Sequence, residues 1–279
     1  MKQVDVVIVG AGFSGLYLMH RCLKANRTAV VLEQGSDVGG TWYWNRYPGA
    51  RCDAESLAYS FSFSSELEQE WTWSERYAPQ PEILDYARHV ADRFGIRPHI
   101  RFNTRVTGAE WNGDDARWTV STEQGESYSG RHCVMATGCL SVPQLPDIEG
   151  LDSFEGARYQ ASRWPHEPVS FKGQRVGIIG TGSSGIQSIP VIAAEAEHLT
   201  VFQRTPNFSV PAKNSSLDNA WVAAFKANSA SHRHNHRIGN GSGFGDLDIE
   251  PKATVEAPTL FDEVTESEAQ ALLEAAWQR

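Results

Sequence analysis

The stretch Val4-Asp5-Val6-Val7-Ile8-Val9, running without a gap into Gly10-Ala11-Gly12-Phe13-Ser14-Gly15, decides the fold. A near-continuous β-branched run of this length marks a strand buried on both faces, as in a parallel sheet. Behind the glycines the spacing predicts a helix over residues 16–25, then a second apolar strand over 28–32 that ends in Glu33. Strand, glycine turn, helix, strand and an acid about 20 residues on is the full context of a dinucleotide-binding turn. Each glycine has its own reason: Gly10 for the tight turn, Gly12 for close approach of the backbone to a pyrophosphate, Gly15 for helix–strand packing. The helix N-terminus supplies N–H donors to the anion. Glu33 accepts hydrogen bonds from ribose hydroxyls and repels a 2′-phosphate, so the expected ligand is an unphosphorylated adenosine, as in FAD or NAD.

The pattern recurs. Residues 175–179 read as a buried strand leading into Gly180-Thr181-Gly182-Ser183-Ser184-Gly185, with a helix expected over 186–197, Pro190 in its early part, and a strand over 199–202. Where the first copy carries Glu33, the second carries Arg204 beside Thr205. A guanidinium and a hydroxyl there bind a 2′-phosphate that an acid would repel, so this turn is expected to prefer NADP(H). The expected fold class is therefore α/β, with two dinucleotide-binding (Rossmann-like) domains built on parallel sheets.

Between the copies, Gln80–Phe94 has a helical apolar stripe with Pro81 in the first turn. Short alternating runs over 100–106, 109–111, 118–122 and 127–129, with a turn at 113–115, predict a small antiparallel meander. Residues 132–136 return to a buried-strand pattern. The expected domains are 1–141, then a linker 142–170, then 171–279 with a helical insertion from about residue 212. Within the first, Gly39-Gly40-Thr41-Trp42 and the aromatic, arginine-bearing run to Asp53 read either as a loop packed on the core or as one that covers a flat ring. Asp53 either caps a segment starting at Ala54 or forms a charged pair with Arg51 at a cofactor.

Composition limits the rest. The 279 residues carry 25 Lys plus Arg against 34 Asp plus Glu, a net charge of −9, with no footprint for nucleic acid or anionic membrane. No run reaches the roughly 18 apolar residues of a membrane span, and no secretion signal is visible. Cys22, Cys52, Cys133 and Cys139 are scattered without a CxxC pair, which argues for reduced thiols, a cytoplasmic setting and no cysteine-based metal site. His232, His234 and His236 alternate within a polar run, 231–245, that reads as a solvated loop. Ala220–Lys226 fits a short helix, and Thr265–Glu268 a capping box opening a last helix.

Together these motifs carry a family resemblance, densest from residue 1 to Pro206. They are Gly10-x-Gly12-x-x-Gly15, Gly39-Gly40-Thr41-Trp42, Tyr47-Pro48-Gly49-Ala50-Arg51-Cys52-Asp53, Ala136-Thr137-Gly138, Gly180-x-Gly182-x-x-Gly185 and Gln203-Arg204-Thr205-Pro206. The chain resembles the N-terminal part of flavin-dependent (type I) Baeyer–Villiger monooxygenases. That family's signature, FxGxxxHxxxWP, falls on Phe154-x-Gly156-x-x-x-Gln160-x-x-x-Trp164-Pro165, with Gln160 in place of the histidine. A glutamine hydrogen-bonds but carries no titratable charge.

The resemblance implies FAD on Gly10, Gly12, Phe13, Ser14, Gly15 and Glu33, with Gly40, Thr41, Trp42, Arg51, Asp53, Tyr59 and the backbone of Val106 along the flavin. It implies NADP on Thr181, Gly182, Ser183, Ser184, Gly185, Gln187, Arg204 and Thr205, and active-site roles for Asp53, Gln160 and Trp164, with no metal. The implied reaction consumes NADPH and O2 and inserts oxygen beside a ketone carbonyl to give an ester or lactone. The alternatives are N- or S-oxygenation by a related flavin monooxygenase, and a non-catalytic nucleotide-binding fragment. The family's chains run well beyond 279 residues, so the partner implied is the C-terminal half of such an enzyme.

Overall fold

β1 (Lys2–Val9) lies inside a six-stranded sheet because both of its faces have apolar cover. On one face Val6 and Ile8 pack with Leu16, Met19 and Cys22 of helix α1 (Phe13–Lys24) and with Ala87 and Ala91 of α4 (Gln80–Arg93). On the other, Val7 meets Val30, Leu32, Val120 and Tyr128. A strand covered on both sides has no polar face to show, which is why its sequence runs apolar instead of alternating.

The structure is a computed structural model that describes residues 1–140, 142–207 and 212–239, with positions 265, 267, 268, 270, 271 and 274. It forms two compact units, Met1–Leu217 and Asp218–Arg279. In the first, the strands besides β1 are β2 (Ala29–Leu32), β3 (Ile100–Arg101), β4 (Val106–Asn112), β5 (Arg117–Thr122) and β6 (Ser127–Met135), and the sheet order is β3-β2-β1-β6-β5-β4. β1 pairs in parallel with β2 and β6, and β3 in parallel with β2, while β4, β5 and β6 pair antiparallel. The meander is thus an extension of the parallel sheet, sharing β6 with it. Between β2 and α4 stand the short helices α2 (Thr41–Trp44) and α3 (Ser65–Glu70). Trp71 and Trp73 follow α3 and pack edge-on and tilted against Tyr86 of α4.

The second copy is a two-stranded parallel sheet, β7 (Arg175–Ile179) with β8 (His198–Phe202), joined through α5 (Ser183–Ala193). Two backbone bonds of the first copy recur in it. Gly10 N–H donates to Leu32 O at 2.8 Å and Gly180 N–H to Phe202 O at 2.9 Å, while Leu16 N–H reaches Gly12 O and Ile186 N–H reaches Gly182 O at 2.9 and 3.0 Å. In both copies the helix crosses so close to the strand end that a side chain has no room. A Cβ on Gly15 would stand 1.9 Å from Gly10 O, and one on Gly185 2.4 Å from Gly180 O.

Several expectations are corrected. The run 100–106 is not one meander strand: Ile100–Arg101 joins the parallel edge and a new strand begins at Val106. Residues 132–135 are the end of β6, begun at Ser127, with Ala136 past its end, and Met135 there is 59% exposed. β7 and β8 are not buried on both faces either. Among the described residues their sheet stops at two strands, which leaves Ile179 71% and Phe202 55% exposed. Pro190 sits in the later half of α5, and α5 ends at Ala193.

In the second unit, α6 (Asn219–Ala227) is capped by Asp218, whose Oδ1 accepts from Trp221 N at 3.0 Å. α7 (Ser229–Gly239) then replaces the solvated loop expected from residue 231, with the His232 ring stacked on Phe225. The remainder of that expected loop, 240–245, lies outside the described residues, as do Leu272, Leu273 and Trp277 of the last expected helix. Its capping box is present: Thr265 N–H donates to Glu268 Oε2 at 2.8 Å and Glu268 N–H to Thr265 Oγ1 at 3.4 Å.

Gly15→Ala is expected to lower the unfolding free energy by about 1–3 kcal/mol, because the new methyl must push α1 off the strand end. Chemical denaturation measures it, and a change within about 0.5 kcal/mol would contradict the close-approach account.

Candidate functional site

At the first glycine turn, buried Glu33 is held by two backbone donors. Ala11 N–H donates to its Oε2 at 2.6 Å and Gly35 N–H to its Oε1 at 2.7 Å. A carboxylate offers roughly four lone-pair sites, so two remain for incoming hydroxyls. The Gly39–Gly40 backbone lies across the turn, and a Cβ on Gly40 would stand 2.8 Å from Gly12 Cα. The two backbones form a cradle that side chains would fill, which fits a pyrophosphate lying against N–H groups at the N-terminus of α1. Phe13 and Ser14 are the first residues of that helix.

Beyond the cradle the aromatic run is ordered. Thr41 and Trp42 begin α2, so this part of the expected loop is helical. Trp42 is buried, and its indole N–H donates to Tyr59 Oη at 3.0 Å with the rings edge to face. Burial pushes the Tyr59 phenol up, so its proton stays on the oxygen at neutral pH. Phe13 contacts Tyr59 and Phe61, which ties the glycine turn to the same aromatic floor. Val106 opens β4 at a register shift opposite Thr122.

Asp53 is exposed, and no helix starts at Ala54, so the capping alternative fails. Arg51 does not pair with it. Its Nη1 goes to Glu75 Oε2 at 2.7 Å and to Tyr77 O at 2.8 Å, and Asn214 also hydrogen-bonds Glu75 Oε2. Arg51 pulls the Glu75 carboxyl below its ordinary value.

At the second turn, Thr181 is framed by its own copy: Gln203 Nε2 donates to Thr181 Oγ1 at 3.2 Å and Asn207 Nδ2 to Thr181 O at 2.9 Å. A Cβ on Gly182 would meet nothing within 4 Å, so the turn is open above the N-terminus of α5, where Ser183, Ser184 and Gly185 stand. Arg204 and Thr205 are exposed, and Arg204 makes no ion pair among the described residues. These open donors beside an uncompensated guanidinium suit a phosphorylated ligand.

The signature stretch lies between the two turns in sequence. Gln160 Nε2 donates to Gln144 O at 2.8 Å, within the stretch expected as a linker, and Trp164 packs against Tyr159 and Phe171. His166, just past Pro165, rests against the Tyr43 ring of α2. Burial, then Arg46, push its imidazole down, so it is neutral at pH 7.

Sequence reading missed two members of the site. Gln187, expected at the NADP phosphates, reaches Tyr47 Oη and the Arg51 backbone with its carboxamide. Glu75 and Asn214 carry no motif at all. Gly49, amid the Tyr47–Arg51 segment, was the one hint that another backbone comes close. Among the described residues no cluster of His, Cys, Asp or Glu is arranged to hold a metal, and no helix is long and apolar enough to cross a membrane.

The sequence pattern of the pyridine nucleotide-disulphide oxidoreductase family matches residues 7–238. All four cysteines, Cys22, Cys52, Cys133 and Cys139, are free. The chain is 46% identical over 220 residues to a 2-oxo-Δ3-4,5,5-trimethylcyclopentenylacetyl-CoA monooxygenase of Pseudomonas putida, covering 77% of this chain and 40% of that protein. It is 41% identical over 276 residues to a Baeyer–Villiger monooxygenase of Pseudooceanicola batsensis, covering 99% of this chain and 49% of that one. An oxidised steroid monooxygenase bound to NADP superposes with a TM-score of 0.87 at 52% identity, over 99% of this chain and 51% of that structure. The chain thus spans about half, or less, of the length of the curated relatives it matches.

Burial pushes the Cys52 thiol up to about 11, whereas Cys139 is exposed. At pH 8 only about one Cys52 in a thousand is thiolate. Alkylation of the native protein followed by peptide mass spectrometry is expected to label Cys139 first and spare Cys52. Equal labelling of the two would contradict the packing of the Tyr47–Asp53 segment.

Proposed function

This chain belongs to the pyridine nucleotide-disulphide oxidoreductase family and is similar across its length to the N-terminal part of flavin-dependent Baeyer–Villiger monooxygenases, and on that footing we propose that the protein is an NADPH- and O2-dependent monooxygenase converting a ketone to an ester or lactone. One observation carries the reading. Two glycine turns with matching backbone hydrogen bonds end in opposite charges, a buried Glu33 fastened by two N–H groups and an exposed Arg204 with no ion pair among the described residues.

In this reading residues 1–141 form the FAD-binding domain, 142–170 the linker and 171–279 the NADP-binding domain. Bound at the first site, FAD would accept a hydride from NADPH and pass electrons to O2. Gly10, Gly12, Phe13, Ser14 and Gly15 present N–H donors to its pyrophosphate. Glu33 takes the ribose hydroxyls on its two remaining acceptor sites. Gly40, Thr41, Trp42, Arg51 and Tyr59 line the ring end, with the backbone of Val106 as a further contact. Trp42 is held against Tyr59 through the indole hydrogen bond, which fixes the shape of that wall and keeps water off it. Thr181, Gly182, Ser183, Ser184 and Gly185 receive the NADPH phosphates, and Arg204 with Thr205 the 2′-phosphate. Asp53 stands exposed next to this wall, placed to meet an arginine from elsewhere in the enzyme. Gln160 and Trp164 hold the stretch along which a nicotinamide would be steered. The C-terminal half seen in the relatives supplies the remainder, and ketone choice depends on it.

Arg204→Ala is expected to weaken NADPH binding by about tenfold or more while leaving NADH nearly unchanged, since a charge-assisted phosphate contact is worth roughly 1.5–3 kcal/mol. Fluorescence titration with both nucleotides decides it, and equal affinity for the two before mutation would sink the assignment. Supplying a cyclic ketone and a thioether to the protein at its natural length, with NADPH and air, tests the reaction. Lactone as the main product supports it, and sulfoxide alone would replace it with S-oxygenation.

A further inference from the structure

One side chain of the second copy, that of Gln187, binds the backbone of the Tyr47–Arg51 segment. Gln187 lies on α5, four residues past the Ser183 that begins it. Its Oε1 accepts from Tyr47 Oη at 2.9 Å and from Arg51 N–H at 3.3 Å, and its Nε2 donates to Arg51 O at 3.1 Å. Both polar groups of one peptide backbone residue are thus read by one carboxamide, the pairing of a strand neighbour made by a side chain. Between the two ends of this grip the backbones nearly touch. Gly49 has φ +78, and a Cβ on it would stand 2.2 Å from Gln187 O and 3.0 Å from Val191 Cγ2.

Arg51 is held from the other side too. Its guanidinium bonds Glu75, which Asn214 also bonds, and Asn214 Oδ1 accepts from Tyr77 N at 2.9 Å. Residues 214–217 run beside 74–77, with Arg76 N–H on Ser215 O at 2.9 Å and Leu217 N–H on Ser74 O at 3.1 Å. So the second copy reaches Arg51 twice, once from its helix before β8 and once from the chain that follows it. Two donors already occupy the Gln187 oxygen, and one of its N–H groups is spent on Arg51. A phosphate would have to draw on the single remaining N–H.

We propose that Gln187 is a positioning residue: its carboxamide sets the register of α5 on the Tyr47–Arg51 segment, and so sets how a nicotinamide held at the second turn meets a flavin held at the first. This rests on the two-site reading above. The rival role, a phosphate ligand, predicts the opposite division of effects. Losing a phosphate contact raises the Kd for NADPH and leaves the reduction rate at saturation alone, whereas losing register slows reduction at saturation and spares the Kd.

The experiment is anaerobic stopped-flow reduction of the purified protein at its natural length, with its flavin bound, followed by bleaching at saturating NADPH. Gln187→Leu is expected to slow reduction by about tenfold to a hundredfold with the Kd for NADPH within about twofold, as a misplacement of reacting groups does. Gln187→Glu adds a signature that a merely structural role lacks. Its carboxylate can accept from Tyr47 and Arg51 N–H but puts an oxygen against Arg51 O, and protonation restores the donor. Function is therefore present below the glutamic acid's pKa and lost above it. The rate relative to the parent protein should rise severalfold from about pH 8.5 to about pH 6, a window that contains a carboxyl pKa raised by burial beside a carbonyl. An unchanged rate for Gln187→Leu, or a raised Kd alone, overturns the proposal. If Gln187→Leu does not fold, Tyr47→Phe takes its place: it removes one of the three contacts and should slow reduction by about threefold.

A parent protein whose flavin NADPH does not reduce would refute the proposed function instead. The register is then judged by melting temperature: losses from Tyr47→Phe and Gln187→Leu that fail to add support the clasp, and additive losses refute it.

Discussion

Everything in the first unit is set by a contact that leaves no room for a side chain. At each glycine turn the helix starts so close to the strand end that its third glycine lies against the carbonyl oxygen of its first. That approach aims the helix N-terminus, with its unpaired N–H groups and its positive dipole end, at the space above the sheet. The chain makes it twice, and two backbone hydrogen bonds at each turn agree in position and nearly in length. The two helices thus present the same kind of anion-binding surface, proposed above for two different ligands. What separates them is the residue at the end of the second strand: in one copy a carboxylate fixed by backbone donors, in the other a solvated guanidinium.

How the copies are held matters as much as how each is built. The Tyr47–Arg51 segment belongs by sequence to the first nucleotide site, yet Gln187 of the second copy bonds its backbone, and Glu75 and Asn214 lock its arginine. In the proposed reading, the wall of the flavin site and the helix of the NADPH site share this one segment. The hydride transfer proposed above demands alignment of the reacting groups at near-contact distance, which a shared segment would serve.

Much of this was legible in the sequence, for a physical reason. Strands covered on both faces write themselves as continuous apolar runs, and turns too tight for a Cβ write themselves as glycines, so β1, β2 and both turns could be read directly. β6 was split because its halves do different work: Tyr128 is buried beneath the meander, while Met135 at the other end is exposed. α7 reads as a loop in the sequence because Ser231-His232-Arg233-His234 has no apolar period to announce a helix. The partners of Arg51 were invisible for another reason. Asp53 is the nearest acid in sequence, but the fold brings in Glu75 across 24 residues and Gln187 across 136, and no spacing rule spans such distances.

In the proposed function one chain holds an acid-marked flavin site and an arginine-marked NADPH site that exchange a hydride. The measurement that tests it most directly is an anaerobic titration of the purified protein, at its natural length, with NADPH while the visible spectrum is recorded. The account predicts oxidised flavin bands before the titration and their loss with about one equivalent of NADPH, since a hydride carries the two electrons that reduce one flavin. A protein that shows no flavin bands and takes up no added FAD, or one whose bands NADPH leaves unchanged, would contradict it.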